Sequence, residues 1–172
     1  SSSSAASDVY KRQLPYIFQF AIANWKMYGS ISSINSLNKV IKFSKSKEIN
    51  KGRLIYCPPY TLISSFSKKF QNCQIGLGGQ NCHESETDGP YTGFINARML
   101  KNAGAQFVII GHSENRANGE NDKLINLKIK NSINSKLKVI FCIGETLSEK
   151  RKKKTKSILS KQIKIGLNKI KN

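Results

Sequence analysis

The chain has 172 residues, of which 38% are hydrophobic, and a formal net charge of +19 at pH 7. This length can bury a core and favours one domain, and no apolar run approaches the roughly 20 residues that a membrane-spanning helix needs. The charge comes mainly from 24 lysines, against 5 arginines. Because base-reading proteins rely on arginine, we attribute the charge to AT-rich codon usage rather than to a nucleic-acid partner.

The cysteines indicate the redox compartment of the protein. Cys57 and Cys142 lie inside apolar strand-like runs, and no C-x-x-C pair occurs. This favours free thiols in a reducing, cytoplasmic compartment over disulfides or a metal site.

Residues 1–13 are a Ser/Ala-rich, polar segment that cannot bury apolar area. We therefore expect residues 1–16 to be a disordered leader, not native in appearance, and residues 17–172 to form the domain.

Five strand patterns, each followed by a helix pattern, make up the rest of the chain. The strands are predicted at about Phe18–Lys26, Arg53–Cys57, Gln74–Gly79, Phe107–Ile110 and Lys138–Ile143. The helices are predicted at about Ser33–Ser46, Thr61–Lys69, Ile95–Ala103, Asn121–Ser135 and from Ser148 to the end. Strict alternation of this kind predicts a parallel sheet with right-handed crossovers.

Each predicted helix carries an apolar stripe that should face the sheet. The stripe of the second helix is Leu62, Phe66 and Phe70. The stripes of the fourth and fifth helices are Leu124, Leu127 and Ile133, and then Leu159, Ile163, Leu167 and Ile170. The basic run Lys150–Lys156 is expected to be a solvated helix face.

Polar side chains follow two of the predicted strands. Asn24 and Lys26 lie at the carboxyl end of the first strand, and His112 follows the apolar fourth strand after Gly111. Active sites of parallel α/β proteins are built at such positions. From this stretch alone, His112 fits a structural helix cap as well as it fits a catalytic role. The loop Gln80–Thr92 is long enough to indicate a functional or interface segment, whereas nucleotide-binding glycine motifs are absent.

Four motifs together resemble one family, triosephosphate isomerase. They are Ala23–Met27, Gly79–Asn81 with Tyr91–Gly93, Ile110–Glu114 with Arg116, and Phe141–Leu147, in family order from about Phe20 to Lys150. The resemblance implies an α/β fold, the (β/α)8 TIM barrel. Such a barrel takes about 250 residues, so we expect an incomplete barrel with five βα units.

The resemblance also implies an activity and the residues that carry it. The family interconverts dihydroxyacetone phosphate and glyceraldehyde 3-phosphate through an enediolate, in glycolysis and gluconeogenesis, without cofactor or metal. His112 would be the neutral imidazole that polarises the carbonyl and shuttles protons. Lys26 would offset the charge of the phosphate and the enediolate, and Asn24 would bind substrate beside it. Ser113 would start a helix whose dipole acts on His112, and Glu114 would hold Lys26 and His112 in place.

The loop after the third strand would serve a homodimer. Gln80 and Thr92 belong to the segment that resembles the family's dimer loop, and Thr92 would reach toward the partner's site. His83, in the same loop, is expected to be exposed and non-catalytic. Triose phosphate and a second copy of the chain are thus the implied partners, with neither nucleic acid nor membrane.

Two departures from the family pattern limit the resemblance. Asn115 stands where the family usually has an arginine. The family's catalytic base is a glutamate after a sixth strand, beside a lid, and its phosphate loops follow strands seven and eight. We therefore expect the 172 residues alone to be inactive, with strands one and five as exposed, aggregation-prone edges. The alternative is a basic nucleic-acid-binding module that uses the Lys150–Lys171 segment, which would bind less tightly as salt rises.

Overall fold

The computed structural model describes residues 19–46 and 52–170. Five parallel strands form one sheet in the order in which they occur along the chain. The strands are β1 (Gln19–Asn24), β2 (Gly52–Cys57), β3 (Ile75–Gly79), β4 (Phe107–Ile110) and β5 (Lys138–Phe141). The predicted parallel βα alternation is confirmed, while the expected leader, residues 1–16, lies outside the described residues.

Helices connect the strands and cover the outer face of the sheet. They are α1 (Asn38–Ser44), α2 (Ile63–Lys69), α3 (Ala97–Asn102), α4 (Ser113–Ala117), α5 (Asp122–Asn134), α6 (Leu147–Arg151) and α7 (Thr155–Gly166). Turns of 3-10 helix at Ile31–Leu37 and Tyr60–Leu62 lead into α1 and α2. The single last helix predicted from Ser148 is wrong, because Lys153 takes a left-handed φ of 57° between α6 and α7.

The strand side chains alternate between two clusters. Val108 and Ile110 pack outward into the core under the helices, whereas Phe107 and Ile109 face the inner side together with Ile55. All four residues of β4 are buried, as the unbroken apolar run predicts. On β1, Phe20 and Ile22 are 51% and 41% exposed. Strand one is thus an edge strand with exposed apolar side chains, as expected.

The predicted apolar stripe is right for α2 and wrong for α5. Leu62, Phe66 and Phe70 are buried, and the Phe66 ring packs edge-on against Trp25 at 5.2 Å between centroids. On α5, Leu127 is 44% exposed and Ile133 is 39% exposed. The face of α5 that packs inward consists of Ile125, Asn126, Lys128, Ile129, Asn131 and Ser132. Its polar members bond to neighbouring segments, so hydrophobicity alone misplaces the face.

The stripe predicted for the last helix is wrong at two of its four positions for a similar reason, while Ile170 packs against the core. Ile163 is 42% exposed and Leu167 is 45% exposed, while Gln162 and Gly166 are buried. The Gln162 amide accepts from the Gly144 N–H and donates to the Gly144 C=O, both at 2.8 Å. A Cβ at Gly166 would overlap the Phe141 ring, which allows α7 to pack closely there. In the part of the chain that the structure describes, no helix has the length and apolarity to cross a membrane.

Candidate active site

A cavity of about 200 Å³ lies at the carboxyl ends of the strands. Five of the predicted site residues line it: Asn24, Lys26, His112 and Glu114, and also Gln80, which was predicted for the dimer loop. The remaining lining residues are Tyr60, Asn81 and Asn115. The structure thus brings together side chains that are 88 positions apart along the chain, such as Lys26 and Glu114.

Lys26 has a strained backbone that two neighbours hold in place. Its φ of 51° lies in the left-handed region, which costs a non-glycine residue about 1–2 kcal/mol. Its N–H donates to Asn24 Oδ1 at 3.0 Å, and its C=O accepts from Gln80 Nε2 at 2.8 Å. Gln80 Nε2 also donates to the Cys57 C=O at 2.9 Å. Strain that the surroundings enforce in this way is typical of functional sites.

The ammonium of Lys26 forms an ion pair inside the cavity. Its Nζ lies 2.8 Å from Glu114 Oε1, and the two side chains are 51% and 58% exposed. The hydrogen bond to Glu114 and the charge of Glu114 raise the pKa of Lys26. The hydrogen bond from Lys26 and the charge of Lys26 lower the pKa of Glu114. Both groups are therefore charged at neutral pH.

His112 caps α4, which begins at Ser113 as expected. The ring nitrogen Nδ1 of His112 accepts the backbone N–H of Glu114 at 3.3 Å. A ring that accepts at Nδ1 is neutral and carries its proton on Nε2. The side chain is 24% exposed, and Glu114 Oε2 lies 3.5 Å from Nδ1. Nε2–H is therefore the remaining donor of this ring in the cavity wall.

Arg116 joins the ends of β4 and β5 beneath His112. Its Nε donates to the Gly111 C=O at 2.8 Å, its Nη2 to the Cys142 C=O at 3.3 Å, and its Nη1 to Asp122 at 2.6 Å. Gly111 has a φ of 78°, and a Cβ there would lie 2.9 Å from the Cys142 oxygen. The glycine before His112 is thus required by both backbone conformation and close approach.

A buried polar triad lies behind the cavity, and no sequence pattern indicated it. Lys128 Nζ lies 2.5 Å from Glu120 Oε1, with the side chains 6% and 12% exposed. Asn81 Nδ2 donates to the same Glu120 oxygen at 2.7 Å, and Asn81 Oδ1 accepts from Lys128 at 3.4 Å. Among the described residues, Glu120 Oε2 is buried without a hydrogen-bond partner. The triad fixes Asn81, which lines the cavity.

Thr92 does not line this cavity, although Gln80 and Asn81 at the start of the same loop do. Thr92 lies at an exposed turn between Tyr91 and Phe94, which are 47% and 62% exposed. The expectation that His83 is exposed is wrong, because its side chain is 11% exposed. The His83 ring packs against Tyr91 and Phe94, with centroids 4.4 and 4.8 Å apart. His83 is therefore a packing residue of the loop.

The structure shows no candidate metal-binding site within residues 19–46 and 52–170. No group of three or more His, Cys, Asp or Glu side chains is arranged there to hold a metal ion. All four cysteines are free, and Cys57 and Cys82 are buried. Burial raises the pKa of the Cys57 thiol to about 12, so it is a core group rather than a nucleophile.

The fold and the site together define a class. A parallel sheet in chain order, with polar residues at its carboxyl ends, is the arrangement of (β/α)8-barrel enzymes, of which the described residues form five βα units. The family model of triosephosphate isomerase matches residues 19–172. The chain belongs to the triosephosphate isomerase family.

Individual relatives agree with this assignment. Triosephosphate isomerase of Bartonella quintana is 39% identical over 150 residues, which cover 87% of this chain and 59% of the relative. That of Dictyoglomus thermophilum is 40% identical, covering 84% of this chain and 58% of the relative. The crystal structure of triosephosphate isomerase from Bartonella henselae matches with a TM-score of 0.83 at 37% identity, over 90% of this chain and 64% of that one. The chain thus spans less than two thirds of the length of these relatives.

Proposed function

We propose that this chain supplies the electrophilic part of an active site that interconverts dihydroxyacetone phosphate and glyceraldehyde 3-phosphate. The observation that carries the proposal is one cavity in which Lys26, paired with Glu114, lies together with the His112 ring, whose Nδ1 accepts the Glu114 N–H. Membership of the triosephosphate isomerase family agrees with it. No comparison supports the alternative of a nucleic-acid-binding module.

The chemistry follows from the charges and donors of these residues. The Lys26 ammonium offsets the substrate phosphate and the negative charge of the enediolate, a charge that is larger in the transition state than in the substrate. The Oδ1 atom of Asn24 accepts the Lys26 N–H. The Nδ2 group of Asn24 is therefore the one that donates to substrate. Glu114 positions Lys26 and, through its backbone N–H, orients the His112 ring.

His112 acts as an acid that is neutral at the start of the reaction. Its Nε2–H polarises the carbonyl oxygen and then moves protons between the two oxygens of the enediolate. The proton on carbon must leave to a separate base, which in the family is a glutamate after a sixth strand. The five βα units described here supply no counterpart of that base. For this reason we expect the 172 residues alone to give no isomerase rate.

The same proposal includes a homodimer in the cytoplasm, formed through the loop after β3. The loop is anchored to α5, because Asn131 donates to the Glu84 C=O and Asn134 Nδ2 donates to Glu86 at 2.9 Å. Its tip nevertheless exposes the rings of Tyr91 and Phe94. An ordered loop with exposed apolar rings is typical of a protein interface, and Thr92 at the tip would extend into the partner copy. The free cysteines support a reducing compartment.

A chimaera tests the catalytic roles directly. Residues 1–172 are joined to the part of the Bartonella quintana relative that lies beyond the matched segment, and isomerisation of glyceraldehyde 3-phosphate is measured. We expect His112→Gln to reduce kcat by about 10²–10⁴-fold, the usual contribution of a general acid–base group. Lys26→Met should reduce kcat/KM by a similar factor. Lys39→Met, an exposed lysine of α1, is the matched control and should leave the rate unchanged. Equal rates for Lys26→Met and Lys39→Met would disprove the role of Lys26.

A further inference from the structure

A second cavity lies at the opposite end of the sheet from His112. Its volume is about 480 Å³, compared with about 200 Å³ for the cavity that contains Lys26 and His112. Four cationic side chains line it, namely Arg53, Lys101, Lys136 and Lys138. The amide side chains of Gln74 and Gln106 also line it, and no carboxylate of the described residues does.

The topology explains why these residues converge. Arg53 is the second residue of β2, Lys138 is the first residue of β5, and Gln106 directly precedes β4. Because all strands are parallel, their amino ends meet at one edge of the sheet. With a rise of about 3.3 Å per residue, strands of this length place that edge roughly 13–20 Å from the carboxyl ends. The second cavity is therefore separate from the candidate active site.

The carboxylates of residues 19–46 and 52–170 do not neutralise the charge in this cavity. Within the described parts of the chain, none of the four cations forms an ion pair. Lys101 Nζ donates to the Lys136 C=O at 3.3 Å, and Lys138 Nζ lies 5.8 Å from the centre of the Phe107 ring. Concave surfaces lined by one sign of charge concentrate the field and attract counter-ions. Other lysines, such as Lys39, Lys68 and Lys123, lie exposed on helices, where their charges diverge into solvent.

We propose that this cavity binds a multiply charged oligophosphate, such as a triphosphate group. Arg53 supplies a planar fork that fits two phosphate oxygens, and the three lysines act as point charges around it. Gln74 and Gln106 supply neutral N–H donors at the rim. The volume admits an anion larger than a triose phosphate. The proposal is independent of catalysis, since no residue of the Lys26–His112 cavity takes part.

Calorimetric titration of the chimaera described above with inorganic tripolyphosphate tests the proposal. The site variant is Arg53→Gln/Lys138→Gln, and the matched control is Lys39→Gln/Lys123→Gln, both of whose lysines are exposed on helices. Each pair of substitutions lowers the net charge by two. We expect the site variant to bind on the order of tenfold more weakly and the control to change less than about twofold, with affinity falling as salt rises. Equal weakening in both variants would show that the anion responds to overall charge, and would overturn the proposal.

Mapping the position of bound tripolyphosphate on the protein without substitutions gives a second result, which does not depend on whether the variants fold. In amide NMR spectra, tripolyphosphate should shift the signals of Gln74, Gln106 and Lys138. Shifts confined to Lys26 and Glu114 would place the anion in the other cavity and contradict the proposal. Absence of any saturable shift at low salt would contradict it as well. Circular dichroism of both variants shows whether a loss of binding reflects a loss of fold.

Discussion

Two lysine–glutamate pairs in this molecule have nearly the same geometry and opposite surroundings. The nitrogen–oxygen distance is 2.8 Å between Lys26 and Glu114 and 2.5 Å between Lys128 and Glu120. The first pair has side chains 51% and 58% exposed, whereas those of the second are 6% and 12% exposed. Exposed pairs contribute about 0–1 kcal/mol to stability, but breaking a buried pair strands a charge out of water. The same chemistry can therefore serve the site in one place and hold the fold in the other.

The two pairs differ in whether the lysine is accessible to a second anionic partner. Lys26 lines an open cavity, so its ammonium is accessible to a second anion. Lys128 and Glu120 are locked by Asn81, which bonds to both of them. A pair of this kind cannot release its cation without losing stability. Exposure, rather than distance, thus separates the pair suited to binding from the structural pair.

The largest effect is expected from breaking the buried pair. Lys128→Met leaves the Glu120 carboxylate buried without its cation, and should lower the free energy of unfolding by about 3–5 kcal/mol. The midpoint of urea unfolding measures this. Lys123→Met, an exposed position on the same helix, should change stability by less than about 0.5 kcal/mol. Similar losses for the two variants would mean that the burial of the pair is not what matters.

A double variant separates the stranded charge from lost packing. Lys128→Met/Glu120→Leu removes both charges and should recover most of the stability lost by Lys128→Met, since an apolar replacement of a buried pair is often neutral. The coupling free energy between the two positions then follows from the mutant cycle. A double variant less stable than Lys128→Met would disprove this account.

A smaller effect is expected at the backbone of Lys26. Its φ of 51° favours glycine over any residue with a Cβ. Lys26→Gly should therefore be more stable than Lys26→Ala by about 1 kcal/mol, although both lack the ion pair with Glu114. Thermal unfolding of the two variants gives the difference directly. Were the alanine variant the more stable one, the strain at Lys26 would not be real.

The sequence predicted the fold best where burial and apolarity coincide. β4 was predicted with its observed limits because each of its four residues is apolar and buried. On α5 the prediction failed, since Asn126, Lys128 and Ser132 are buried by hydrogen bonds that no apolar periodicity reveals. Gln162 and Gly166 on α7 are comparable cases, one bonded to Gly144 and the other packed on an aromatic ring. Helix faces that are buried through tertiary polar contacts therefore cannot be predicted from apolar periodicity.

The candidate site likewise has residues that the sequence predicts and supporting contacts that it does not. Asn24, Lys26 and His112 could be predicted, because polar residues at the ends of apolar strands stand out and the motifs resemble one family. The hydrogen bond from Gln80 to the Lys26 backbone spans 54 positions, and that from Lys128 to Asn81 spans 47. Neither contact follows a local pattern, so the support of the site became visible only in the structure.

The smallest effect, and the sharpest test of exposure, is the pH response of the Lys26–Glu114 pair. The hydrogen bond and charge of Lys26 hold the pKa of Glu114 below its ordinary value of 4.5. The stability that the pair contributes through Glu114 is therefore present above pH 4.5 and is lost as pH falls through the lowered pKa. The pKa of Lys26 is raised above its ordinary 10.5. On the alkaline side the contribution is present below pH 10.5 and is lost only above it.

Side-chain NMR titration of Glu114 measures the effect. In Lys26→Met the pKa of Glu114 should rise toward 4.5, and 1 M salt should move the unchanged protein in the same direction, because charges in solvent are then screened over about 3 Å. Glu149 is the matched control, since its pKa is lowered first by the backbone N–H and hydroxyl of Thr146 rather than by a cation. Its shift should persist in salt and in Lys26→Met. If the two carboxyls respond alike to salt, the shift of Glu114 comes from something other than an exposed ion pair.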